Sequence, residues 1–288
     1  IQLAGDYGRG LNIQSRLNNV NLALINPMMP GLGLGGIATG SLDFSQSSPS
    51  AFPEADARLR IDNFTRTSLA SVSQPVDLHF VGRLLADGGN ARAIFRRRGA
   101  AIGRMHVNLT PLPPAAGSWT TRLLAAPLSG GLRYNGPAST LFSLAALPDQ
   151  DLRGPIGVAA DFSGRVQSPV LTGVVRANKL VYENNAYGTR LTNMKINGNF
   201  TNDRLEVTEL TANAGDGTIS GKGFVSLSSA KGYPLQLALD LDNATLAKGS
   251  DLAASATGEI QLVNNSTTPA TIRGRIRLPE TRYKIVYE

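Results

Sequence analysis

Asp216-Gly-Thr-Ile-Ser-Gly-Lys-Gly-Phe-Val-Ser-Leu227 and Pro234-Leu-Gln-Leu-Ala-Leu-Asp-Leu-Asp242 are the two halves of the stretch that decides the fold. In the second half, every other residue from 235 to 241 is leucine, and the residues between are polar or small. Successive side chains of a β-strand point to opposite faces, so this half is predicted to be a strand with one apolar face. The first half alternates with smaller residues, and the polar segment 228–232 is predicted to be the turn between them.

The composition limits the class of protein. The chain has 288 residues, a net charge of +7, 17% charged residues and no cysteine, which excludes disulfides and cysteine metal sites. No run approaches the roughly 18 apolar residues that span a bilayer, which indicates a soluble or peripheral segment. Because the sequence begins and ends inside strand-like patterns, we expect it to be part of a longer protein, with any membrane anchor outside this fragment.

The basic residues are mostly arginine, and basic proteins can bind nucleic acid or anionic lipid headgroups. They form one run, Arg96-Arg97-Arg98, with no aromatic residues interleaved. Single-stranded nucleic acid is bound by basic grooves that also offer stacking aromatics. We therefore interpret the run as a solvated basic surface and predict no nucleic-acid partner.

Half-apolar strands separated by turn residues recur along the chain, for example at 36–44, 57–61, 76–84, 101–109, 156–166 and 252–262. The best helix candidate, 138–147, is short and ends at a proline. This pattern predicts an all-β antiparallel meander with a few short helices. A loose repeat starts at Leu22, Leu141 and Leu246: a short apolar piece with helical character is followed by a strand, a polar loop and a second strand. Such modules added end to end indicate an elongated sheet.

No motif of catalysis or cofactor binding is complete in this sequence. Gly31-Leu-Gly-Leu-Gly-Gly36 matches a dinucleotide fingerprint, but an alternating strand follows it where a helix is required. His79 and His106 are the only histidines, and each stands alone on a polar strand face. Asp240 and Asp242 share a face without an opposing acid. We therefore predict no catalytic residue, no metal site, no cofactor and no enzymatic activity.

The apolar faces have two interpretations. Two sheets that pack these faces together make an ordinary core. A long sheet that curls over its own apolar face without closing leaves a dry groove instead. Aromatic residues are only 6% of the chain, so the bulky side chains that usually fill a core are scarce, which favours the groove. Such a groove shelters acyl chains at roughly 0.8 kcal/mol per buried methylene.

Four segments resemble one protein family. They are Val166-Gln-Ser-Pro-Val-Leu-Thr-Gly-Val-Val-Arg-Ala177, Tyr187-Gly-Thr-Arg-Leu-Thr-Asn-Met194, Ala212-Asn-Ala-Gly-Asp-Gly-Thr-Ile-Ser-Gly-Lys-Gly223 and Ile272-Arg-Gly-Arg-Ile-Arg-Leu-Pro-Glu280. The first is similar to a G-x-V-x-x-P-x-L-x-G-x-V signature. Together they resemble the C-terminal DUF490 region of the TamB family, the translocation and assembly module proteins. The motifs are signatures of a fold and carry no catalytic groups.

The resemblance implies a fold and a location. TamB-like proteins and their AsmA-like relatives form elongated, curved, U-shaped antiparallel sheets, called β-tacos, with a hydrophobic interior. They are anchored in the inner membrane of Gram-negative bacteria, cross the periplasm and partner a TamA-like Omp85 barrel in the outer membrane. On this resemblance we expect residues 1–130 to be a β-taco segment upstream of the recognised region. We expect residues 131–288 to be the DUF490-like C-terminal segment, continuous with the first.

The resemblance also implies a function. The family is implicated in moving phospholipid toward the outer membrane, so we expect the groove to bind phospholipid acyl chains. The candidate groove residues are aliphatic and share the predicted apolar faces: Ile219, Val225, Leu227, Leu235, Leu237, Leu239, Leu241, Ile260, Leu262, Ile272, Ile276 and Leu278. Arg273, Arg275 and Arg277 are expected to face outward.

Two other functions are open at this point. The family has been linked to the assembly of autotransporters and outer-membrane barrels, and the chain as a scaffold would template barrel strands along its sheet edges. A closed β-solenoid adhesin is the third possibility, and the basic, strongly amphipathic sequence disfavours it.

Overall fold

The computed structural model of the chain describes residues 2–7, 10–27, 33–67, 72–142, 149–227, 233–248, 252–265, 268–278 and 281–283. The chain divides into two compact units. The first comprises Ile1–Thr67, Ser73–Asn135 and Ala159–Leu171, and the second comprises Ser68–Val72, Gly136–Val158 and Thr172–Glu288. The division into two segments near residue 130, expected from the family resemblance, stays a prediction.

The first unit is a meander of antiparallel strands. In chain order they are β1 (Gln2–Tyr7), β2 (Leu11–Asn21), β3 (Leu34–Gln46), β4 (Glu54–Arg66), β5 (Val76–Leu85), β6 (Gly88–Arg97), β7 (Ala100–Leu109) and β8 (Leu128–Pro137). Each strand pairs with the one that follows it. The register aligns apolar residues on one face of the sheet, for example Leu59 with Phe80, Phe80 with Ala93, and Ala93 with Met105.

The second unit repeats this arrangement. Its strands are β9 (Gln150–Arg153), β12 (Thr189–Asn202), β13 (Arg204–Ala214), β14 (Gly217–Ser226), β15 (Leu235–Lys248), β16 (Leu252–Asn265), β17 (Thr268–Arg277) and β18 (Thr281–Tyr283). The strands β10 (Pro155–Arg165) and β11 (Ser168–Asn184) lie partly in each unit, as does β8, whose last two residues belong to the second. Strands β12 to β17 form an antiparallel meander, β9 pairs with β11, and β18 pairs with β16. The prediction of an all-β antiparallel fold is confirmed.

Helices are short in the described residues. They are α1 (Trp119–Leu124), α2 (Ala138–Phe142) and two 3₁₀ turns, Leu22–Ile25 and Pro114–Ala116. The candidate at 138–147 begins where predicted, and its part beyond residue 142 lies outside the described residues. Leu246 belongs to strand β15, so the third copy of the predicted repeat has no helical piece.

Four asparagines interrupt the strands in the same way. Asn19, Asn63, Asn193 and Asn243 have φ between 46° and 54°. At each, the asparagine-bearing strand has one more residue than the partner strand, which is a β-bulge. Asparagine tolerates this left-handed backbone better than other residues with a side chain.

The bulges keep apolar residues on one face. In the four sequences Leu-Asn-Asn-Val, Ile-Asp-Asn-Phe, Leu-Thr-Asn-Met and Leu-Asp-Asn-Ala, the first and last residues are both apolar although they are three positions apart. In a regular strand, residues three apart point to opposite faces. The extra residue restores the phase, so Leu241 and Ala244 both lie buried in the same cluster.

The backbone N–H group of each bulge needs a partner because it has left the sheet ladder. The neighbouring strand supplies a side-chain oxygen in three cases. The N–H group of Asn243 donates to Thr257 Oγ1 at 2.9 Å, and that of Asn63 donates to Asp77 Oδ1 at 3.0 Å. The N–H group of Asn19 donates to Thr39 Oγ1 at 3.4 Å. The bulges are therefore hydrogen-bonded, integral parts of the sheet.

We expect Asn243→Val to lower the free energy of unfolding by about 1–3 kcal/mol, because a β-branched residue is strained at positive φ. Asn243→Gly removes the same side chain without that strain, and it should change stability by less than about 0.5 kcal/mol. Urea unfolding followed by circular dichroism measures both variants. Equal losses in the two would show that contacts of the asparagine side chain, and not its backbone conformation, stabilise the bulge.

Candidate functional site

Most of the candidate groove residues lie side by side on one face of the second unit. The register places Ile219 opposite Leu241, Val225 opposite Leu235, Leu237 opposite Leu262, Leu239 opposite Ile260, and Leu262 opposite Ile272. Ile276 lies opposite Gly258 on the same face. Leu227 and Leu278 follow the last residues of β14 and β17. The apolar face is therefore continuous across β14, β15, β16 and β17.

One end of this apolar face is a core. Ile219, Leu241 and Ile260 are 4–7% exposed, and three alanines, Ala214, Ala244 and Ala256, are fully buried beside them. These residues come from β13, β14, β15 and β16. The small alanine side chains let the strands approach one another closely, so this part of the face packs as an interior.

The core forms because the sheet of the second unit curls over its own apolar face. Thr189 at the start of β12 donates its hydroxyl hydrogen to the carbonyl oxygen of Leu246 in β15, at 2.5 Å. Two strands, β13 and β14, separate β12 from β15 in the meander. Leu191 and Leu246 pack against the same buried cluster. The strands therefore meet across the apolar face at this end.

The opposite side of the face is open. Leu235, Leu237 and Leu262 are half-buried. On β17 and just after it, Ile272, Ile276 and Leu278 are 64%, 43% and 48% exposed. The apolar face therefore changes from core to surface across four strands, and both interpretations of it apply to different parts.

A glycine in the middle of the face is covered by a leucine. Gly221 lies opposite Leu239, and a β-carbon added to Gly221 would be 2.5 Å from Leu239 Cδ2 and 2.5 Å from the Ala238 carbonyl oxygen. The sequence alone suggests a shallow floor at Gly221, since glycine supplies no side chain. The structure fills that place with the leucine from the next strand.

Four charged residues of β15, β16 and β17 lie off the apolar face. Asp240, Glu259, Arg273 and Arg275 line a depression of about 430 Å³ on the other side of β15, β16 and β17. Arg273 and Arg275 therefore face away from the apolar residues, as predicted. Farther along, Lys195 Nζ and Asn197 Nδ2 donate to the carboxylate of Glu209, at 2.8 Å and 2.6 Å. The hydrogen bond from Lys195 contributes most to lowering the pKa of Glu209 below its usual value.

The first unit has an apolar cavity that the sequence analysis did not single out. Its volume is about 380 Å³, within the range of small-molecule sites. The residues that line it are mostly aliphatic, aromatic or glycine, among them Ala57, Phe80, Leu84, Val107, Leu109 and Leu123. Most of them belong to strands β4 to β7, in which alternate side chains share one face. Leu123 lies in α1 and not in a strand, so strand alternation alone does not indicate that it lines the cavity.

Helix α1 is held against this cavity by a buried arginine. Arg122 is 8% exposed. Its Nε donates to the Leu112 carbonyl oxygen at 2.6 Å, its Nη2 donates to the Ala86 carbonyl oxygen at 3.0 Å, and its guanidinium lies 4.8 Å from the centre of the Phe52 ring. A buried charge is costly unless such partners satisfy it. Arg122 therefore fixes α1, and with it Leu123, over the apolar face.

The described residues contain no cluster of three or more potential metal ligands. In the same part of the chain, no helix combines the length and the hydropathy that crossing a membrane requires.

Residues 207–287 match the family model described as the TamB C-terminal domain. The matched segment begins in β13 and includes the whole apolar face of β14 to β17. No curated protein and no solved structure matches the chain. The resemblance to the TamB family found in the sequence is confirmed for this segment.

We expect Gly221→Ala to lower the free energy of unfolding by about 1–3 kcal/mol, because the added methyl group displaces Leu239 and crowds a backbone carbonyl. Gly88→Ala is the matched control, since a β-carbon at Gly88 meets nothing within 4 Å, and it should be neutral or slightly stabilising. Urea unfolding compares the two variants. If Gly221→Ala is as stable as the control, Leu239 does not hold the place beside Gly221.

Proposed function

We propose, from the premise that residues 207–287 are a TamB C-terminal domain, that this chain carries phospholipid acyl chains along its apolar face. The full protein is a bridge in the envelope of a Gram-negative bacterium, anchored in the inner membrane and extending through the periplasm. It delivers phospholipid between the inner and outer membranes and supports outer-membrane biogenesis. A TamA-like Omp85 barrel is its outer-membrane partner in this proposal.

The observation that carries the proposal is the open side of the apolar face. Ile272 and Ile276 expose aliphatic surface beside the half-buried Leu262, and this surface is continuous with the core. Contiguous apolar surface of this kind marks a binding site in a soluble domain. An acyl chain laid along the face gains roughly 0.8 kcal/mol for each methylene it buries.

The proposed mechanism needs no catalysis. The apolar face offers aliphatic side chains and glycine, so an acyl chain finds hydrophobic contact without a fixed polar partner. The phospholipid headgroup stays in water at the open side, and the acyl chain slides along the face. The cavity of the first unit provides a second place for hydrocarbon, with Leu123 of α1 at its wall.

A second function, assembly of autotransporters and other outer-membrane barrels, is supported by the edge of β17. Among the described residues, β17 pairs with β16 along one of its two edges. A strand edge of this kind can add a strand from another chain. In this alternative the chain is a scaffold that works with an Omp85-type partner.

We expect Leu239→Arg to reduce the phospholipid that co-purifies with the chain, measured by native mass spectrometry. Loss of contact with about two methylenes corresponds to roughly tenfold weaker retention. Ala238→Arg is the matched control, because Ala238 is the neighbouring residue and is exposed on the opposite face. It should retain lipid like the unchanged chain.

Ile272→Arg provides a second variant whose folding is not in question, because its side chain is already 64% exposed. It should also reduce co-purified phospholipid. If the unchanged chain carries no phospholipid, or if both groove variants carry as much as the Ala238→Arg control, the conduit proposal is wrong. Photo-crosslinking from Thr271 on β17 to unfolded barrel proteins, in the absence of bound lipid, would support the scaffold instead.

A further inference from the structure

The positive charge of the chain is concentrated in a few neighbouring strands. Residues 76–137, which include β5 to β8, contain eight arginines and two aspartates, without lysine or glutamate. This surplus of six positive charges nearly equals the net charge of +7 for the whole chain. The remainder of the chain is therefore close to neutral, and the charge belongs to one region of the first unit.

The alternation of the strands brings many of these arginines to the polar face of the sheet. Arg92 and Arg96 of β6 and Arg104 of β7 are exposed. The register places Arg92 opposite His106 and Arg104 opposite Arg133. Like charges directly opposite one another destabilise a sheet. This surface therefore carries a charge arrangement that does not serve the stability of the sheet.

Carboxylates form ion pairs with the arginines at the sides of this surface but not with those in its middle. The flanking ion pairs are Arg58 with Asp56 at 3.5 Å, Arg60 with Asp62 at 2.9 Å, and Arg133 with Asp161 at 2.7 Å. Within the described ranges of the chain, Arg92, Arg96 and Arg104 have no ion pair. Asp77 lies opposite Arg96, but its carboxylate accepts the N–H group of the Asn63 bulge.

Two aliphatic side chains lie among the arginines. Val81, which is 51% exposed, has Arg58 and Arg92 as its cross-strand neighbours. Ile94 lies between His79 and Arg104 in the same way. We call Val81, Arg92, Ile94, Arg96 and Arg104 the arginine face. A surface that mixes guanidinium groups with aliphatic side chains has the chemistry of proteins that lie on lipid headgroups.

We propose that the arginine face docks on the surface of an anionic phospholipid bilayer. The guanidinium groups of Arg92, Arg96 and Arg104 pair with headgroup phosphates, for which their planar, forked geometry is suited. Val81 and Ile94 contact the boundary between headgroups and acyl chains. This surface lies on the opposite side of the sheet from the apolar cavity, so it goes beyond the proposed transport of acyl chains.

The size of the effect follows from the charge. Each arginine near an anionic membrane surface strengthens binding about fivefold. Replacing Arg92, Arg96 and Arg104 together should therefore weaken binding by about a hundredfold, if the three act independently. The interaction is electrostatic, so it should also weaken steeply as salt is raised.

The test is co-sedimentation of the chain with vesicles of phosphatidylglycerol and phosphatidylcholine, and with vesicles of phosphatidylcholine alone. We expect binding to the anionic vesicles and about a hundredfold loss in the triple variant Arg92→Gln, Arg96→Gln, Arg104→Gln. The matched control is Arg273→Gln, Arg275→Gln, Arg277→Gln, which removes the same charge from the second unit. It should bind within about threefold of the unchanged chain, because Arg273 and Arg275 lie near Glu259 and Asp240.

Several outcomes overturn the proposal. They are equal binding to neutral and anionic vesicles, an equal loss in the control variant, and binding to soluble polyphosphate without binding to vesicles. If the triple variant does not fold, two further measurements decide. The single change Val81→Asp should weaken vesicle binding at least fivefold, and binding of the unchanged chain should fall as salt rises. If either effect is absent, the proposal is also contradicted.

Discussion

The structure depends on the two-residue period of the β-strand. Every apolar surface described above exists because alternate side chains share a face over long strands, and a slip of one residue turns all later side chains over. Strands of 13 or 14 residues, such as β4 and β15, make this requirement demanding. The asparagine bulges meet it where the sequence departs from strict alternation. They place one residue outside the ladder and return the next apolar residue to the correct face.

The same constraint explains why the apolar face is core at one end and open at the other. The Asn243 bulge lies next to buried Ala244, and Ala256 faces Ala244 from the next strand. Bulges increase the local bend and twist of a strand, and alanines allow close approach where the sheet curls. Away from the bulge the residues are leucine and isoleucine, and no strand crosses over them in the described part of the face. Residue size and sheet curvature therefore vary together along the same strands.

Much of the fold was predictable because alternation is a local signal. The paired strands of 216–242 and the shared face of Leu239 and Ile260 follow directly from the two-residue period. The bulges were not predicted, although the four asparagine sequences are visible, because nothing in a single strand shows that its partner is one residue shorter. The strand assignment of Leu246 was missed for a related reason. It follows the bulge at Asn243, where the alternation changes phase.

The surfaces were harder to predict than the strands. The sequence showed Arg96-Arg97-Arg98 as the only run of charge, whereas the structure assembles Arg92, Arg104 and Arg133 from three strands by register. Pairing partners at long sequence separation are set by the whole meander and cannot be read from one segment. The position of Leu123 at the cavity wall was also not predicted, because it depends on hydrogen bonds from Arg122 to the carbonyl groups of Leu112 and Ala86, outside the helix.

The bulges also determine how such a chain can change length during evolution. Insertion of one residue into a regular strand turns the following side chains to the wrong face, whereas insertion of two residues preserves their orientation. A left-handed asparagine absorbs a single extra residue at the cost of one local bend. Single-residue insertions in these strands are therefore tolerable where asparagine or glycine accompanies them and a neighbouring hydroxyl or carboxylate accepts the freed N–H group, as Thr257 does for Asn243.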